Sequence, residues 1–61
     1  MATKIYDVAQ HDGYIFNALE ETLSDGSKVY DLTIEDDENF IRLHCTDKKK
    51  AQDLFYQLTT L

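Results

Sequence analysis

Apolar and polar positions alternate most cleanly along two neighbouring stretches of the chain, and a helical spacing follows the second. From Lys28 to Glu35, the side chains of Tyr30, Leu32 and Ile34 fall on one side and those of Asp31, Thr33 and Glu35 on the other. Period-two alternation of this kind predicts a half-buried strand. Asp36-Asp37-Glu38-Asn39 is turn material, and Phe40-Ile41-Arg42-Leu43-His44-Cys45 alternates again, with Ile41, Leu43 and Cys45 inward. Together the two stretches predict a hairpin. From Asp47 to Leu61 the period changes: Ala51, Leu54, Phe55, Leu58 and Leu61 fall three or four residues apart and form one apolar stripe. That spacing predicts an amphipathic helix, with Thr46 or Asp47 available to cap its first turn. Lys48, Lys49 and Lys50 then crowd the helix N-terminus, where the dipole disfavours cations. Lys49 or Lys50 paired with Asp53 one turn on offsets a few tenths of a kcal/mol, and the acidic turn at residues 35–38 is the expected main counterweight.

The first half of the chain is less regular. Residues 3–10 read as a strand with imperfect alternation, Tyr6 and Val8 on one face and Ile5 and Ala9 on the other. Residues 14–24 read two ways. Tyr14-Ile15-Phe16 favours a strand, whereas Ala18-Leu19-Glu20-Glu21 favours a helix, with Ile15, Leu19 and Leu23 spaced by four. Asp12-Gly13 and Asp25-Gly26 are tight-turn pairs on either side of it. Two hairpins joined in series account for both pairs, so the pattern favours ββββα over βαββα. The expected fold is α+β: a small antiparallel four-stranded meander with one C-terminal helix packed on one face. Residues 1–61 read as a single compact domain, and the alternative is βαββα with residues 14–24 helical.

Size sharpens this picture. A chain of 61 residues buries roughly 60% of its unfolded surface, and the gain is comparable to the entropy lost on ordering the chain. Such a domain gains from a partner, and a second copy is the simplest one. Cys45 is the sole cysteine, which excludes an internal disulfide and favours a cytoplasmic setting. No apolar run has membrane-spanning length and no signal-peptide core opens the chain, so neither a membrane nor secretion is expected.

With 12 acidic and 6 basic residues, the chain carries a formal net charge of −6. The acidic residues gather in the middle: residues 20–38 hold Glu20, Glu21, Asp25, Asp31, Glu35, Asp36, Asp37 and Glu38 against Lys28 alone. This argues against direct nucleic-acid binding, which needs cations against phosphate. It suits a solubilising face or a protein partner with a basic surface.

Candidate chemistry is sparse. His44 and Cys45 adjoin, but neighbours in a strand point to opposite faces and share no proton. Cys45 reads as a small core residue and His44 as a solvated one. The spacing of His, Cys and carboxylates matches no zinc or calcium pattern, so no metal or cofactor is expected. Carboxylates on exposed turns are poorly placed for acid–base work. Neither a phosphate loop nor a nucleophile motif is present, and the chain does not read as an enzyme.

One surplus remains. A single helix covers only one face of a sheet, and more apolar residues are available than that core requires. Ile5, Tyr14, Phe16 and Phe40, with Arg42 and His44 at the rim, are the expected interaction face. The reading is a non-enzymatic protein–protein interaction or regulatory accessory module acting as a homodimer. The alternative is an acidic, nucleic-acid-mimicking inhibitor of a nucleic-acid-binding protein, of viral or mobile-element accessory type, acting through Glu35, Asp36, Asp37 and Glu38.

Overall fold

In the computed structural model, which describes residues 2–60, four antiparallel strands precede a single helix. The strands are β1 (Ala2–His11), β2 (Tyr14–Thr22), β3 (Lys28–Glu35) and β4 (Phe40–Cys45), and the helix is α1 (Lys48–Thr59). Strand order in the sheet is β1-β2-β3-β4, a simple meander. The ββββα reading holds, and residues 14–22 are strand rather than helix.

Local chemistry explains each reversal. Asp12 and Gly13 form the two-residue loop between β1 and β2, with φ of 54° and 82°. Positive φ at both positions is the type I′ arrangement, whose twist matches that of the strands it joins. Between β2 and β3 the Leu23 amide donates to the Ser27 carbonyl at 2.8 Å, and Gly26, at φ 88°, takes the left-handed position. The β3–β4 turn is built on Asp36, whose Oδ1 accepts from the Glu38 and Asn39 amides at 2.9 and 2.6 Å. These bonds, to the Glu38 amide above all, hold the Asp36 carboxyl below the usual carboxylate range. At the start of α1, Asp47 is the N-cap and accepts from the Lys49 amide at 2.9 Å.

The helix runs back across β2 and β3, and its apolar stripe makes the core. Phe16, Ala18, Leu32 and Phe55 are buried together, with Tyr6, Ala9, Ile34, Leu43, Leu54 and Leu58 packed around them. Ala18 and Ala51, 1% and 0% exposed, are the small residues that let helix and sheet approach. Leu61, the last position of the expected stripe, lies outside the described residues.

Two sidedness assignments change. β1 shifts register between Ile5 and Asp7, so that Ile5 opposes Leu19 while Asp7 opposes Ala18. This bulge at Tyr6 reverses the parity beyond it. Tyr6 and Ala9 therefore face the helix, and Ile5 and Val8 face away. In β2 it is Phe16 that enters the core, 7% exposed, with Ala18 beside it. Tyr14 shares that side, and the bare side of β2 carries Ile15 and Leu19 instead. Phe16 and Tyr14 are thus removed from the expected interaction face.

Candidate interaction surface

The sheet face opposite the helix divides into an apolar half and a polar half. On β1 and β2, Ile5 and Val8 are 58% and 56% exposed, with Ile15 and the half-buried Leu19 alongside. On β4, Phe40 is 61% exposed at the strand's start, and Arg42 and His44 follow on the same side. Of the residues expected on this face, Ile5, Phe40, Arg42 and His44 lie there.

Alternation alone gave no sign of the arrangement in the middle of this face. Asp31 and Thr33 are 4% and 5% exposed, although no helix covers them. Asp31 sits between Leu19 of β2 and His44 of β4 in the cross-strand register. Its Oδ2 accepts from Arg42 Nε at 2.7 Å, and its Oδ1 lies 2.8 Å from His44 Nδ1. The other side of the same guanidinium, Nη2, pairs with Glu21. One arginine thus clamps carboxylates on two strands, and these bonds, Asp31's first, raise the Arg42 pKa above its ordinary value. Next to this network, Asn17 Nδ2 donates to Thr33 Oγ1 at 3.2 Å. His44 is therefore not a free surface residue; it closes over a buried carboxylate while its own side chain stays largely exposed. The signal was present in part: Asn17 and Glu21 share parity with Ile15 and Leu19, which marks that side of β2 as the one away from the core.

The fold also redistributes charge. In a meander, the β1–β2 and β3–β4 turns lie at one end of the sheet and the β2–β3 turn at the other. Residues 20–38 are therefore divided. Glu35, Asp36, Asp37 and Glu38 join Asp12 at the end without lysine or arginine, whereas Glu20 and Glu21 lie toward the other end among cations. Glu20 pairs with Lys28 at 3.1 Å, and Lys28, helped by Lys48 and Lys4, lowers its pKa. The lysines at the helix start are balanced by Glu20 and by Asp53, which Lys49 meets at 3.2 Å. The expected counterweight at 35–38 lies at the far end of β4, a strand of 6 residues. Lys48 also stands 6.0 Å above the Tyr6 ring, within reach of a cation–π contact.

Among the described residues no cluster of three or more His, Cys, Asp or Glu is arranged to hold a metal ion, and no helix is long and apolar enough to cross a membrane. The chain matches no protein-family model, no curated protein and no solved structure.

Proposed function

We propose that the protein is a non-enzymatic interaction module of the cytoplasm that associates with a second copy of itself through the bare face of its sheet. The supporting observation is the exposed apolar set Ile5, Val8 and Ile15, continuous across β1 and β2 and opposite the helix. With strands about 4.8 Å apart and about 25 Å long, a four-stranded face spans on the order of 500 Å² in projection. Side-chain relief carries this toward the roughly 800 Å² per partner of a stable interface.

Charge favours a second copy as the occupant. Asp31 is consumed by Arg42 and His44, and Glu21 by Arg42, so two such faces meet without a dense field of like charge. In a two-fold arrangement the apolar half packs on its equivalent, and the Arg42 network forms the rim. The marginal core of a chain this short makes that burial worth more than it would be in a larger domain.

Association of folded copies makes the melting temperature depend on concentration. Thermal unfolding followed over a hundredfold range of protein concentration should therefore show a Tm that climbs with concentration. Val8→Asp places a charge in the contact and should flatten that dependence without changing the far-ultraviolet spectrum. A wild-type Tm independent of concentration would remove the proposal.

A further inference from the structure

A second apolar surface lies on the other side of the sheet, at the acidic end of the molecule. The last turn of α1 does not reach across the beginning of β4. An open groove of about 520 Å³ remains there, lined by Tyr14, Phe16, Ile34, Phe40, Ile41 and Leu58. Ile41 faces the helix side yet is 52% exposed, with Leu58 the last stripe residue among the described residues. Asn39 also lines the groove, and the exposed Asp37 and Glu38 immediately precede Asn39 in the β3–β4 turn, with Asp12 of the β1–β2 turn at the same end of the sheet. Asp36 is absorbed in holding the turn. The helix contributes as well. Its C-terminal carbonyls carry the negative end of the dipole, and its last turn contains no basic residue to offset it.

We infer that this groove receives a basic amphipathic segment of another protein, with apolar side chains against Ile41 and Leu58 and lysine or arginine against the acidic turns and the helix C-terminus. Charge complementarity selects this occupant. A second copy in a two-fold arrangement is disfavoured, since it would bring two lysine-free acidic ends together. An anionic membrane or a nucleic acid is disfavoured for the same reason. Phe40 borders both surfaces, but Ile41 and Leu58 lie on the side of the sheet opposite Ile5, Val8 and Ile15, so the inference does not rest on the proposed dimer.

The test uses the full chain, ¹⁵N-labelled, titrated with a synthetic amphipathic peptide of leucine and lysine, and with the same peptide carrying glutamate in place of lysine. The lysine peptide should give saturable shifts at Tyr14, Ile34, Ile41 and Leu58, weakening as salt is raised. The glutamate peptide should give none. Ile41→Asp, at an exposed edge position that leaves the core intact, should weaken binding about tenfold, the effect of removing one good apolar anchor. Asp37→Lys combined with Glu38→Lys, in the exposed turn, should weaken it to a similar degree. Shifts centred on Ile5 and Val8, shifts confined to the acidic turns without Ile41 and Leu58, or unchanged affinity in Ile41→Asp would each overturn the inference. So would a change of oligomeric mass in Ile41→Asp, which would make the groove a contact between copies.

Discussion

Asp31 and Tyr6 show two opposite ways of burying a polar side chain. The Asp31 carboxylate is enclosed on the bare face of the sheet and fully engaged, by Arg42 on one oxygen and His44 on the other. Asp31→Asn keeps the shape but loses the charge that Arg42 was placed to meet. Hydrogen bonds to charged groups contribute about 1.5–3 kcal/mol, and Arg42 is half-exposed and so partly recovers its solvation. A loss of about 1–2 kcal/mol in denaturant unfolding is expected. An unchanged midpoint would mean that the network is ornamental. The Tyr6 hydroxyl, by contrast, is buried with no hydrogen-bond partner among the described residues. Burial also raises the Tyr6 pKa, by desolvation first and then by its acidic neighbours. The folded state holds this proton more tightly than the unfolded chain does. The contribution is therefore complete below the ordinary tyrosine value of about 10 and is lost as pH rises through the folded-state value. Tyr6→Phe should raise the neutral-pH Tm by a few degrees, because about 1 kcal/mol moves a domain of this size by about 4–8 °C. It should also remove part of the wild-type loss of stability above pH ~10. A lower Tm for Tyr6→Phe would show that the hydroxyl has a partner in solution.

At the level of elements, the strands β3 and β4 and the helix were legible because one face of each is uniformly apolar. The turns were legible from Asp-Gly pairs. Gly13 illustrates the mechanism: at φ 82° a side chain meets nothing within 4 Å, so the cost of substitution is conformational alone. Gly13→Ala should lower stability by about 1 kcal/mol through backbone strain, readable as a shift in urea midpoint without a change in slope. A neutral result would mean that the β1–β2 turn relaxes to another type. What was not legible depended on pairing between strands. An extra residue at Tyr6 leaves no mark in local composition, yet it moves Val8 to the bare face and Ala9 to the core. In Tyr14-Ile15-Phe16 every position is apolar, so parity had to be settled by Asn17 and Glu21 further along. The burial of Asp31 required knowing that Leu19 and His44 flank it, which only the register supplies. Of the two counterweights expected for the helix-start lysines, Asp53 is in place beside Lys49, whereas the turn at 35–38 is not. The lysines' other acidic neighbour, Glu20, comes from β2 rather than from the turn that immediately precedes β4.

At the scale of the molecule, one layer of helix on one layer of sheet leaves half of the sheet without cover. The meander also sorts charge along the long axis, the lysines at one end and Asp12 with Glu35, Asp37 and Glu38 at the other. An acidic run continuous in sequence from 20 to 38 is thereby broken in space, which favours local complementarity at the acidic end over imitation of a long polyanion. The two proposals use different parts of this molecule: the apolar bare face for a second copy and the groove beside Ile41 and Leu58 for a basic segment. The first is the central claim, and sedimentation equilibrium tests it most directly. At tens of micromolar the wild-type chain should sediment at twice its 7.1 kDa mass. Val8→Asp should fall to the single mass, while Tyr56→Asp, on the exposed side of the helix, should stay at the double mass. A wild-type chain that sediments at 7.1 kDa throughout, or a Val8→Asp variant that remains double, would contradict the account.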